Sequence, residues 1–568
     1  MTKTISALTL TSLLFLTSQL VLAGSATWSA APTTGNWNTA ANWTPNTIPN
    51  GPTDVASFAQ SAISTVSISQ NTQVDSIVFE PGASAFTIGP SFNTLTISGA
   101  GVINNSGVEQ NFFLPGGPNT INFINSATAG DATYTQAAGG SSSLVFFDHT
   151  TNAGSAVFIN QGDAGPGSVF FNNSSSAADG TFYNQAGISN GGATIFEDEA
   201  DAGNATLVCD GGSDGKPIQG FTRFSENSSA ANASLVANGA SVSNFTFGVI
   251  SFEDHSTAAN ATITVNGGTV TGAPGARVYF SDFTGRAAAA NSTLIATAGT
   301  NGGLPGQIFL STDSTGDKAR IELLKGKLNI TNHNPPGVTV GSIEGNGTVL
   351  LGANNLTVGT NNLSTNFSGT LKDGDSGGSL TKIGTGKFTL SGPSTYSGGT
   401  VVNAGVLLVN NATGSGLGTG PVQTATGSIG GRGIIAGDVA IGTGVGSGAA
   451  LGPGEYPHAP GTLTIQSSLT LNVDATYKVT LNSSLSSAAA VVANGVQIIN
   501  AQIVLNDVGS ASISAGTVFT IITNTAATPI SGTFTNLPDG GTIVVGSNTF
   551  QANYEGGDGN DLTLTVVP

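Results

Sequence analysis

Five acids recur at matching places along the chain. Asp148, Asp198, Glu226, Asp254 and Asp282 each follow a phenylalanine by two residues (Phe146, Phe196, Phe224, Phe252 and Phe280), and Asn172 takes that place after Phe170. If successive copies stack at the strand spacing of about 4.8 Å, neighbouring carboxylates repel by roughly 0.9 kcal/mol per pair even in water. A row of this kind either splays into solvent as ordinary turn residues or recruits Ca2+ through oxygen ligands. These five are therefore the calcium candidates. Carboxylates in pairs are also what a sugar hydrolase needs, here with Arg223 or Arg277 nearby.

Three further strings imitate catalytic or binding motifs. Gly374-Asp375-Ser376-Gly377-Gly378 has the surroundings of a protease nucleophile, but a serine nucleophile needs a base and an orienting acid brought to it. His149, His255, His333 and His458 are the only histidines, and neither His149 nor His255 has the surroundings of a protease base. Gly211-Gly212-Ser213-Asp214-Gly215 fits the G-x-S-x-G elbow without the helix that should follow. Gly556 to Asp561 opens like a calcium nonapeptide, in one copy and with Thr563 where a large apolar residue belongs. All three read as glycine turns, and no catalytic or cofactor-binding residue is assigned.

The elements that position these residues are repeats. Phe123, Phe147, Phe171, Phe196, Phe224, Phe252, Phe280 and Phe309 recur at intervals of 24, 24, 25, 28, 28, 28 and 29 residues. Eight residues beyond comes a small polar residue: Asp131, Ser155, Asp179, Asn204, Asn232, Asn260 and Asp317, with Asn291 delayed by a three-residue insertion. Each unit holds two short strands and two turns. Alone it cannot bury its apolar face. Stacked in register, the units place Phe on Phe and Asn on Asn, which predicts a parallel β-helix. A row of β-sandwiches is the competing architecture, but such a domain takes about 100 residues.

Composition agrees with an all-β chain. The 568 residues include 81 Gly and 22 Pro, and only 8% are charged, against roughly 25% in average soluble proteins. With 32 acids, 14 bases and a net charge of −18, the chain lacks the basic stripe that a nucleic-acid partner requires. The mild cluster from Lys318 to Lys327 reads as a solvated face. Lys3, the apolar run from Ile5 to Leu22 and Val21-Leu22-Ala23 before Gly24 read as an export signal over residues 1–23. No later segment is apolar enough to span a bilayer. Cys209, the single cysteine, sits in Leu207-Val208-Cys209 and is expected to be buried filler.

Residues 380–410 closely resemble the autotransporter-associated β-strand repeat. The pattern is carried by Leu380-Thr381-Lys382, Gly384-Thr385-Gly386, Leu390-Ser391-Gly392, Tyr396-Ser397-Gly398-Gly399-Thr400 and Ala404-Gly405. Residues 453–465, residues 532–564 and the Trp/Asn/Pro-rich start are also similar to segments of such exported proteins. The resemblance implies a right-handed parallel β-helix of passenger type outside a bacterial cell. Because the sequence stops at Pro568, no membrane barrel is expected to follow. The expected organisation is a Trp-rich cap over 24–60 with Trp28, Trp37 and Trp43, a β-helix over 61–460, and a C-terminal β segment or cap over 461–568. The expected role is a non-enzymatic secreted or surface protein, adhesin-like, with host, neighbouring-cell or matrix glycans as partners. A polysaccharide lyase or glycoside hydrolase is the alternative.

Overall fold

Alternation over four residues sets the local structure. In Thr133–Gln136, Val157–Asn160, Thr206–Cys209 and Arg277–Phe280 the second and fourth side chains are buried and the others face outward. That is the period of a strand with one covered face. The computed structural model describes residues 24–281 and 285–568. The expected export signal and Asp282 lie outside the described residues.

The strands stack into a parallel β-solenoid of about 19 turns. One ladder of 16 strands runs from Trp43–Thr44 and Ala26–Trp28 to Thr370–Lys372. A second begins at Thr65–Ile68 and continues through Gln502–Asp507. A third contact per turn is a column of single parallel bridges through Thr128, Asn152, Ser176, Asp201, Ser229 and Thr257. The only helical pieces among the described residues are the short 3-10 turns Ala40–Asn42 and Ser483–Leu485. The architecture is all-β, as the periodicity predicts.

The core is a file of aromatic rings. Phe123, Phe147, Phe171, Phe196, Phe224, Phe252 and Phe280 stack face to face with centroids 4.6 to 4.8 Å apart. Phe112, Tyr134, Phe158 and Phe182 form a second file on the opposite ladder and meet the first edge-on. The expected file is correct except at its end. Phe280 pairs with Leu310, while Phe309 faces outward and stacks on Tyr279 at 4.9 Å. A one-residue slip reverses the face of a strand, and it displaces Asp317 too. Lys318, not Asp317, follows Asn291 in the outer polar column.

Two corners per turn use left-handed backbone. Asn125, His149, Asn173, Asp198, Glu226 and Asp254 share φ of 54° to 63°, and Gly130, Gly154, Ala178, Gly203, Ala231, Ala259, Ala290 and Asp317 share φ of 43° to 71°. Asn and Asp tolerate this region better than most residues. Inside the tube, Gln136 donates to Asn160 and Asn160 to Asn184, both at 2.7 Å, and Asn184 donates to Thr222 at 3.1 Å. The chain pairs the Asn160 and Asn184 amides, which would otherwise be costly in an apolar core, and leaves the buried Gln136 side-chain carbonyl without a partner among the described residues. Cys209 ends it, fully buried, and burial pushes its thiol up to about 12.

Both ends are covered. Trp28, Trp37 and Trp43 are 0–1% exposed and pack edge-on with centroids 4.9 and 5.1 Å apart. Their rings therefore offer no face for stacking a sugar. Ala26–Trp28 already pairs in parallel with Val55–Phe58, so this segment forms the first rung as well as its lid. At the other end, Val518–Asn524, Asp561–Val567, Asn548–Gly556 and Thr542–Val545 form an antiparallel meander.

Candidate functional site

The acid row is a corner ladder. Asp198, Glu226 and Asp254 occupy successive rungs, but Asp148 does not stand in line with them. The core residues of its rung and the next are Phe147 and Phe171, so Asp148 and Asn172 align with Glu197, and His149 and Asn173 take the ladder place. The Phe146-Phe147 and Phe170-Phe171 doublets cause this correction. Along the ladder each side chain accepts from the backbone N–H of the preceding rung: Asn173 from His149 at 3.1 Å, Asp198 from Asn173 at 2.7 Å, Glu226 from Asp198 at 3.1 Å, Asp254 from Glu226 at 3.3 Å. The Asn173 N–H foremost holds the Asp198 carboxyl below its usual value. No group of three or more His, Cys, Asp or Glu side chains among the described residues is placed to hold a metal ion.

The two arginines face other partners. Arg223 pairs with Glu197 at 2.8 Å. Arg277 donates to the Tyr279 hydroxyl at 2.9 Å and lies over the rings of Phe247 and Phe309 at 4.2 and 5.4 Å. Neither arginine forms an ion pair with Asp198, Glu226 or Asp254 among the described residues.

The serine strings are turns. Ser376 is exposed, and no histidine is hydrogen-bonded to it among the described residues. Its loop is organised by Asp373, which accepts from the N–H groups of Asp375, Gly377 and Gly378 at 3.0 to 3.1 Å. Ser213 and Lys216 close a hairpin by exchanging backbone hydrogen bonds at 2.8 and 2.9 Å, with Gly215 at φ 73°. Gly556 pairs with Asp561 across the last tight turn.

The described surface has a groove that the acid pattern did not reveal. Gln161, Gln185, Asp210, Asn238 and Asn266 each follow the last residue of a second-ladder strand, and each backbone N–H bonds to the strand end of the preceding rung. Their side chains form a half-buried column. Asn266 donates to Asn238 at 3.0 Å and Asn238 to Asp210 at 3.4 Å. Beyond it the connecting loops rise as a wall, leaving cavities of about 350 Å³ over Gln185, Asp210, Asn238 and Lys216 and about 330 Å³ over Gln161, Asp163, Asp214 and Lys216. Burial raises the Asp210 carboxyl above its ordinary value, against the Asn238 donor and the Lys216 charge. The signal was present as Gln161-Gly162, Asp210-Gly211, Asn238-Gly239 and Asn266-Gly267, with Gln185-Ala186 between. Glycine is needed there because a Cβ on Gly211 would stand 2.4 Å from the Gly239 carbonyl.

Further along, one turn shows how Leu380, Lys382, Tyr396, Ser397 and Thr400 cooperate. Ser379–Lys382 pairs with Thr400–Val402, and Lys387–Leu390 with Val406–Val409. Leu380 and Tyr396 are fully buried, and the Tyr396 hydroxyl meets that of Thr400 at 2.6 Å. The Lys382 ammonium, 1% exposed by residue, donates to the carbonyls of Ile383, Gly384 and Ala404 and so ties the two arms. Burial brings its pKa down to about 8. Ser397 donates its N–H and hydroxyl to Asp373 of the preceding turn. Residues 380–409 match the passenger-associated-transport-repeat family. The transport repeat is thus one turn of the parallel β-solenoid and the start of the next. No curated protein matches the chain.

Proposed function

We propose that this chain is a non-enzymatic exported β-helical protein of the cell surface or extracellular matrix, adhesin-like in presenting a long polar solenoid to glycans. The observation that carries this reading is the transport repeat embedded as a structural turn of the parallel β-solenoid. The placement of the chemically able side chains supports it: Asp198, Glu226, Asp254, Asp373 and Lys382 tie one rung to the next. No helix among the described residues is long and apolar enough to cross a membrane.

The test is fractionation of the producing cell followed by surface digestion with an external protease. The protein is expected in the medium or the protease-sensitive surface fraction, and retention in the cytoplasm sinks the reading.

One observation favours the carbohydrate-active alternative: Asp210, a carboxyl raised by burial, stands in a groove beside Lys216. Raised carboxyls in clefts are what general acids require. Release of reducing sugar from a polysaccharide by the full chain, abolished in Asp210→Asn, would replace the non-enzymatic reading.

A further inference from the structure

We propose that the groove along Gln161, Gln185, Asp210 and Asn238 binds a linear neutral glycan lying parallel to the solenoid axis. The inference deepens the adhesin-like reading and rests on it for exposure of the groove outside the cell.

The column sets the chemistry of the occupant. Stacked rungs repeat at about 4.8 Å, close to the advance of one pyranose along an extended chain. Each amide offers both a donor and an acceptor, so the floor presents the same mixed hydrogen-bonding pair again and again in one direction. A polymer of hydroxyl-bearing rings repeats its own donors and acceptors at that pitch. The column changes at Asp210, whose carboxylate accepts from Asn238 and offers the occupant acceptors in place of the mixed pair.

The walls add what a sugar needs beyond hydrogen bonds. Ile188 is 57% exposed at one cavity, and Tyr183, 42% exposed, shares the outward face with Gln185 two positions earlier on its strand. Apolar side chains beside polar ones suit the C–H faces of pyranoses. Charge decides against an acidic polymer: Asp163, Asp210 and Asp214 line the two cavities with Lys216 as the single base. A peptide added as a strand would need a free sheet edge. Here the strands ending at Asn184 and Cys209 are paired on both sides.

Calorimetric titration of the full chain with xylohexaose, mannohexaose and cellohexaose, and separately with polygalacturonate, tests the proposal. At least one neutral hexaose is expected to bind. The double variant Gln185→Ala/Asn238→Ala is expected to weaken it by about tenfold or more, the loss of one or two hydrogen bonds. Asn260→Ala, on the outer column across the same ladder, is expected to leave it unchanged. If the double variant lowers the melting temperature, Ile188→Ser and Lys216→Ser on the exposed loops serve in its place. Binding of no neutral chain, preference for polygalacturonate, or equal binding by groove variants of native stability overturns the proposal. A protein found outside the cell that binds none of these sugars sinks the groove and leaves the exported surface protein standing.

Discussion

Asp373 of one turn accepts the backbone N–H of Ser397 in the next at 2.8 Å and its hydroxyl at 2.7 Å. The same carboxylate accepts three N–H groups of its own loop, so it organises one turn and fastens another. Comparable clamps are Asp438 on Ser468, Asp474 on Thr443 and Gly444, and Asp507 on Ser483.

These clamps make the solenoid sensitive to acid. Burial works to raise the Asp373 carboxyl, but the donors from Ser397, Asp375 and Gly377 outweigh it and hold the carboxyl below its usual range. A folded value under the unfolded one, about 3.9, means the contribution is complete above that pH and lost as pH falls through the folded value. Asp373→Ala should cost about 1–3 kcal/mol at neutral pH. The deficit should shrink well below about pH 4. Melting curves followed by circular dichroism across that range check it; equal curves at neutral pH would refute the clamp.

The ring file predicts a local defect. Phe196 stacks on Phe171 and Phe224 at 4.8 and 4.6 Å and is fully buried. Phe196→Ala should cost about 3–5 kcal/mol. In a chain of neighbour-only contacts the opening stays near the lesion. Limited proteolysis is expected to cut close to that rung first, whereas uniform resistance along the tube would contradict the stacking account.

Lys382 should leave a signature in mild alkali. Its folded pKa of about 8 lies below the unfolded value, which is about 10.4. Between the two the unfolded chain binds more protons, so stability rises with pH across this window. Lys382→Met removes that slope. Denaturant midpoints measured across the window should separate the two proteins, and parallel midpoints would mean the ammonium is not confined as described.

Asp210 should behave in the opposite sense to the clamps. Burial raises it, so the folded state holds the proton longer, and stability falls as pH rises through the window between the unfolded and folded values. The cost is complete above the folded value. Asp210→Asn is therefore expected to raise the melting temperature at neutral pH, with the gain gone below about pH 4. A lower melting temperature at neutral pH would count against it.

The corner ladder bears on calcium. Asp198, Glu226 and Asp254 accept from N–H groups of the rung before. Melting is expected at the same temperature in Ca2+ and in chelator. An upward shift with Ca2+ that Glu226→Gln removes would establish the ladder as a metal site.

The stacking was legible because Phe171, Phe196, Phe224 and Phe252 recur at a near-constant interval, and a file of large rings has few alternative registers. Phe146-Phe147 and Phe309-Leu310 misled because either neighbour could face inward and only the partner strand decides. That ambiguity put Asp148 in the wrong column. The groove escaped notice because Gln161, Gln185 and Asn238 are uncharged and unremarkable singly; they acquire meaning only when the loops after them are seen to stand up as a wall. In the sequence Lys382 stands out only as part of the repeat pattern and Asp373 not at all, because neither residue type announces burial.

The closed ends have a consequence for how copies meet. A bare terminal rung would template another chain edge to edge, the route to cross-β fibres. At the Trp-rich end the outermost strand is two residues, Trp43–Thr44, and runs into Pro45. At the other, the last sheet ends on the four-residue Thr542–Val545, turned antiparallel to its neighbour, and the second ladder ends on Gln502–Asp507, where the Asn536 side chain bonds both the N–H and the carbonyl of Ile503. Short or capped edges of this kind leave a second chain few unpaired backbone groups to add to.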